Sequence, residues 1–298
     1  MRAMILAAGL GTRLRPLTDE LPKPLVPIGD RPVLAHVAAR LAAAGITEAV
    51  LNTHHLAAAF AGLAGLPLAL RVIHETEILG TAGGVAHAAA LLGEGDVLVW
   101  NGDILAAVDV GALIAAPRTG GAAATLAVAP RAIGAVGDGT VGLGADGRVV
   151  RLRGERFGDE IAGADFLGVH VLGAALRARL PERGCLVGDL YLPALREGKR
   201  LATLSVAGSW DDIGTVEAYL TANARWLARA GLVAHVGEGA HVDPGVDLTG
   251  SVVGAGAVVR GGGALTRSVI WPGARAEAPL DRAVVTPRGA VVRGASLT

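Results

Sequence analysis

The chain has 298 residues, 52% of them apolar, with 27 basic and 27 acidic side chains. That length allows one large domain or two smaller ones, and the balanced charge gives no electrostatic case for nucleic acid or an anionic membrane surface. The single cysteine, Cys185, excludes an internal disulfide and gives no sign of a zinc site. No apolar run reaches the ~18 residues of a membrane span, and no basic-then-apolar leader precedes the first strand, so the expected location is cytoplasmic.

Residues 4–8 form a short apolar run with the character of a buried strand, and Gly9-Leu10-Gly11 follows at once. Glycine lets backbone N–H groups approach a ligand without a Cβ in the way. Arg13, Arg15 and Lys23 then place three cations in the same stretch, the pattern of a phosphate cradle. A Walker A loop is excluded, because Thr12-Arg13 follows Gly11 where Lys-Ser or Lys-Thr is required. A Rossmann fingerprint is excluded by Leu14 at its third glycine and by Pro16, Pro22, Pro24 and Pro27, which forbid a long helix. Lysine occurs only at positions 23 and 199, against 25 arginines. Lys23 between two prolines therefore points to a task for a compact ammonium.

A helix is expected over 33–44, opened by Pro32 and stopped by Gly45. Strands are expected at 49–52, 68–74 and 97–101, with helical stretches near 56–63 and 82–92 between them. Strands alternating with helices imply a mostly parallel, Rossmann-like sheet covered on both faces, with ligands beyond the strands' carboxyl ends. The glycine loop, His74-Glu75 and Asn101-Gly102-Asp103 all fall at such ends, which argues that they serve one site. From residue 122 short strands follow at 125–129, 140–143, 149–152, 166–172 and 201–206, with a helical patch over 188–196 and a helix over 216–230. The eight histidines read as structural, since His54 and His55 are adjacent and no HExxH occurs.

Beyond Gly231, Val236, Val242 and Leu248 are six apart, and Val253, Val259 and Leu265 restart that spacing after a slip of one. Ile270, Ala276, Val285 and Val291 continue it. Such hexad periodicity predicts a short left-handed parallel β-helix rather than a disordered glycine-rich tail. The expected domains are 1–230 and 231–298, with the repeats packing on the first domain or on a second subunit. The tail is expected to carry homo-oligomer assembly more than chemistry.

GLGTRLRPLTDELPKPLVPIGDRPVL resembles the signature of the sugar-nucleotide pyrophosphorylases, the sugar-1-phosphate nucleotidyltransferases, and the resemblance covers about the first 225 residues. It is strongest toward mannose-1-phosphate guanylyltransferases. The resemblance implies that an NTP and a sugar-1-phosphate give an NDP-sugar and pyrophosphate. It implies nucleotide contacts at Leu6, Ala8, Gly9, Gly11, Thr12, Arg13, Glu75, Gly80 and Thr81, with Arg13 and Lys23 catalytic on phosphates. Asp103 and Asp212 would hold Mg²⁺, a hard cation suited to carboxylate and phosphate oxygens. The family's W-x-D-x-G-T pattern selects Asp212 over Asp211. Sugar contacts are implied at Asn101, Glu155 and Gly168. Glu155-Arg156 is the nearest match to the family's Glu-Lys-Pro, with arginine for lysine and no proline.

A carboxylate at Glu75 would suit guanine, whose ring N–H and amino group are adjacent donors, and GTP is favoured on that ground. The alternatives at Glu75 are solvent exposure or a pair with Arg71. UTP or dTTP remains the alternative nucleotide, and a non-catalytic regulatory subunit the alternative role. A sugar phosphate is mostly a dianion at pH 7, so no general base is required.

Overall fold

The computed structural model describes residues 1–116, 121–132 and 134–294. By packing, the chain divides into two compact units, one of Met1–Gly9 with Val37–Trp210, the other of Leu10–His36 with Asp211–Thr298. The expected division at 230/231 is not the one the packing makes. The signature loop and the last helix are grouped with the repeats, and residues 295–298 of the expected repeat domain lie outside the described residues.

The first unit is built on a ten-stranded mixed sheet. Its central strand, Arg2–Leu6, pairs in parallel with Glu48–Thr53 on one side and Val97–Asn101 on the other. Ala69–His74 extends the parallel part beyond Glu48–Thr53. Ala3, Met4, Ile5 and all of Val97 to Trp100 are fully buried, as in a parallel strand covered on both faces. The pairing then reverses. The long strand Ala162–Leu172 runs antiparallel to Val97–Asn101, to Val141–Leu143 and to Ala124–Pro130, and Leu201–Ser205 adds in parallel to the last of these. The sheet is thus parallel through its centre and antiparallel where it extends.

The expected helices form with small changes. The first runs Val33–Ala43 and ends before Gly45. The stretch at 56–63 tightens to a 3₁₀ segment, Ala57–Gly62, and the next is split into Gly80–His87 and Ala89–Leu92. The patch at 188–196 is a π-helical turn, Leu186–Tyr191, running into Leu192–Arg196.

In the second unit, helix Val216–Ala230 has the expected ends. The Thr215 side chain accepts from Ala218 N, and Gly231 closes it in the left-handed region. The tail is a stack of parallel strands closed by one antiparallel pair, Ala283–Val285 with Val291–Arg293. Val236 pairs with Val253 and Val253 with Ile270, each step 17 residues, and Ile270 pairs with Val285. His241–Val242 and Val246–Thr249 pair with successive parts of Val258–Thr266, which pairs in turn with Arg275–Asp281. Each coil therefore has three sides, and a 17-residue coil explains the slip of one in the hexads. Val253, Val259, Leu265, Ile270, Ala276 and Val285 are buried. Val236, at the start of the series, is 46% exposed because its coil has a neighbour on one side only, whereas Val291, 53% exposed, lies in the closing antiparallel hairpin and does not continue the hexads as expected.

Candidate active site

In the first unit, the ends of the parallel strands are tied together by side chains. Ala7 N donates to Asn52 Oδ1 at 2.8 Å, and Asn52 Nδ2 donates to Glu75 Oε1 at 2.7 Å. Glu75 Oε2 accepts from Leu79 N at 3.1 Å. Glu75 is 1% exposed, so both carboxylate oxygens are committed inside the fold. This corrects the expectation that Glu75 reads the nucleobase. It also removes both alternatives at that position, because Arg71 pairs with Glu48 at 2.5 Å. Asn52 is the residue that sequence reasoning missed. Its signal was a polar side chain near the end of an otherwise apolar strand, the same signal that singled out Asn101.

The segment carrying Gly80 and Thr81 is clamped by a distant loop. Gly184 N donates to Leu79 O at 2.8 Å, Ala82 N donates to Gly184 O at 2.9 Å, and Leu186 N donates to Thr81 Oγ1 at 2.8 Å. The Thr81 hydroxyl oxygen is thus already an acceptor within the fold. Gly102 N donates to Leu6 O at 2.8 Å, which ties the Asn-Gly-Asp turn bearing Asp103 to the end of the central strand. Ala8 is buried and Gly9 exposed at that same end.

On the sugar side, Asn101 and Gly168 lie together. A Cβ on Gly168 would come within 2.4 Å of Asn101 Nδ2, so what the glycine admits is the Asn101 side chain, where the expectation was sugar. Glu155 is held in a two-point pair by Arg196, at 2.9 Å from Nε and 2.5 Å from Nη2. The arginine hydrogen bond lowers the Glu155 carboxyl pKa. Both partners are substantially exposed, and such pairs contribute little. Arg156 is exposed.

In the second unit the phosphate loop is a series of 3₁₀ turns, Thr12–Leu14, Leu17–Asp19 and Lys23–Leu25, set among its prolines. Gly11 is left-handed, with φ 67°, and its carbonyl accepts from Thr18 Oγ1 at 2.9 Å. A Cβ there would meet Thr18 Cγ2 at 2.7 Å and Lys23 Cγ at 3.2 Å, so this glycine lets the loop fold back onto its own lysine. Arg13 Nη2 lies 3.6 Å from Asp212 Oδ2. The Arg13 guanidinium rests against Gly214, where a Cβ would come within 2.9 Å of Nη1 and Nη2. Arg15 pairs with Asp19 at 3.2 Å. Thr12 is exposed.

The two adjacent aspartates have different fates. Asp211 is almost fully buried and pairs with Arg225 and, at 3.8 Å, with Arg229; burial raises its carboxyl pKa despite both arginines. Asp212 Oδ1 is buried with no hydrogen-bond partner among the described residues. A bare carboxylate oxygen is the type of hard donor that a divalent cation takes. Among the described residues no three His, Cys, Asp or Glu side chains form a metal-holding cluster, and no helix is long and apolar enough to cross a membrane.

A parallel-centred α/β sheet, and a glycine–arginine–lysine loop in place of a Walker or Rossmann turn, are the features of a nucleotidyltransferase. The chain belongs to the nucleotidyl transferase family, whose model matches residues 2–154, and within it to the sugar-1-phosphate nucleotidyltransferases. It is 36% identical over 238 residues to the N-acetylmuramate alpha-1-phosphate uridylyltransferase of Caulobacter vibrioides, covering 75% of this chain and 96% of that protein. It is 34% identical to the mannose-1-phosphate guanylyltransferase of Mycobacterium tuberculosis and 31% to the mannose-1-phosphate guanyltransferase of Schizosaccharomyces pombe, covering 74% and 76% of this chain. Those matches span 63% and 65% of the two longer proteins. The fold is similar to that of HddC from Yersinia pseudotuberculosis complexed with GMP-PN, with TM-score 0.62, 22% identity, and coverage of 76% of this chain and 99% of that one.

Proposed function

We propose that this chain transfers a nucleoside monophosphate from GTP to mannose-1-phosphate, giving GDP-mannose and pyrophosphate. An oxygen of the sugar-phosphate dianion forms a bond to the α-phosphorus as the bond to the β-phosphate oxygen breaks. No side chain need take a proton. Arg13 and Lys23 neutralise the charge on the phosphates, and Asp103 and Asp212 serve the Mg²⁺ that accompanies them. The metal, when bound, supplies Lewis-acid stabilisation of phosphate charge. The observation that carries this reading is the unpartnered, buried Asp212 Oδ1 in the same unit as the phosphate loop, beside Arg13.

The guanylyltransferase relatives support GTP. Glu75 no longer does, because its oxygens are engaged by Asn52 and Leu79. Base contacts then fall to main-chain groups near Ala8 and Gly80. A second reading, UTP with an N-acetylated sugar phosphate, is favoured by the uridylyltransferase that matches over 96% of its length. The tail is taken as a left-handed β-helix, a reading supported by its three-sided coils.

Pyrophosphate release from GTP, UTP and dTTP, each with mannose-1-phosphate and N-acetylated hexose phosphates, decides between the readings. The same panel for Glu75→Gln should show a less stable protein with an unchanged order of nucleotides. A changed order would return Glu75 to the base site.

A further inference from the structure

The tail and the helix before it hold the phosphate loop at two points, one on each side of Lys23. On the N-terminal side, the Thr286 hydroxyl donates to Glu20 Oε1, and Arg288 N lies 3.4 Å from Glu20 Oε2. Arg288 Nη1 also reaches Asp19 O at 3.5 Å. On the C-terminal side, Tyr219 Oη donates to Pro27 O at 2.6 Å and accepts from Trp271 Nε1 at 3.0 Å. Gly29 N donates to Asn223 Oδ1 at 2.9 Å. Gly29 is left-handed, with φ 62°, and a Cβ there would fall 2.2 Å from Trp226, so the helix ring sits directly on the loop backbone. Tyr219, Trp271, Thr286 and Asn223 are all at most 2% exposed.

Between the two grips lie Pro22, Lys23 and Pro24. Proline fixes φ, so little freedom remains once both ends are held. The backbone on either side of Lys23 is thus held by residues 192 to 266 positions away from their partners in sequence.

We propose that the repeat tail is a positioning element of the phosphate loop, with Trp271 and Thr286 acting on Lys23 through Tyr219 and Glu20. The inference rests on the reading that this loop binds the triphosphate. It reverses the expectation that the tail serves assembly more than chemistry. Neither Trp271 nor Thr286 touches substrate in this account; each fixes a residue that fixes the loop.

The test uses the full chain carrying Thr286→Val, which is isosteric but cannot donate, and Thr286→Ser, which can. Two quantities are read: the KM for NTP, and amide hydrogen exchange across residues 10–36. Thr286→Val should raise that KM about fivefold, the size of one ordinary hydrogen bond, with a smaller change in kcat. Loop amides should exchange about tenfold faster, with the central sheet unchanged. Thr286→Ser should stay within about twofold of the parent in both readouts. If Thr286→Val fails to fold, Glu20→Gln loosens the same grip from the loop side, with the same expected changes. Unchanged loop exchange and unchanged KM in the folded variant overturn the inference. If the parent protein releases no pyrophosphate with any NTP, the enzymatic reading fails, and the exchange data still decide whether the tail holds the loop.

Discussion

Replacing Asp212 with asparagine separates chemistry from stability. Asp212 pairs with Arg13, 3.6 Å away, and the two side chains are 39% and 62% exposed. An exposed pair of that kind contributes about 0–1 kcal/mol. Asparagine has nearly the same shape, and removing the charge also relieves the burial of the bare Oδ1. The melting temperature should therefore move by no more than about 4 °C. Turnover should fall far more. A group that stabilises charge in a phosphoryl or acyl transfer site typically costs about 10²- to 10³-fold when removed. Activity should be read as pyrophosphate release against Mg²⁺ concentration, with a thermal melt on the same sample. The expected result is a large loss of kcat, a raised Mg²⁺ requirement and a near-parental melt. Activity within about threefold of the parent, at the same Mg²⁺ requirement, would refute the role given to Asp212.

Two further predictions concern buried groups of the first unit. His170 is buried between Phe166 and Tyr191, and burial lowers its pKa to about 3 from an ordinary 6.5. The unfolded chain takes up that proton first, so the stability is fully present above pH 6.5 and is lost as pH falls toward 3. His170→Phe should flatten the acid limb of stability against pH by about 1.4 kcal/mol per pH unit between pH 6 and 4, and parallel limbs would contradict the assignment. Glu75→Gln should lower stability by about 1–3 kcal/mol in denaturant melts, because Leu79 N or Asn52 Nδ2 loses its acceptor. A parental midpoint would contradict the buried network.

Local signals in the sequence were enough for many elements. Helix Val216–Ala230 was legible because Thr215 and Gly231 mark its ends, and strand Val97–Asn101 because an apolar run stops at a polar residue. The hexad slip was legible too, but its cause, a 17-residue coil, emerges only from the strand pairing. What the sequence hid is long-range. Glu75 at a strand end looks the same whether it faces a ligand or Asn52, 23 residues earlier. Gly29 gives no local hint of Asn223 and Trp226, nor Glu20 of Thr286. The two-unit division follows from those contacts and could not be read from composition. Among the expected site residues, Arg13 lies beside Asp212, a contact the motif did not announce, while Glu155 and Gly168 engage Arg196 and Asn101.

The central claim is that the proline-stiffened loop presents Lys23 to phosphate. Lys23→Ala tests it most directly, because a half-buried lysine in a loop contributes little to the core. The measurement is kcat for sugar-1-phosphate-dependent pyrophosphate release, on protein whose melting temperature is recorded alongside. The account predicts a loss of about 10²-fold or more with an unchanged melt, since a cation that stabilises transferring phosphate is removed. Near-parental turnover in a folded Lys23→Ala protein would contradict it.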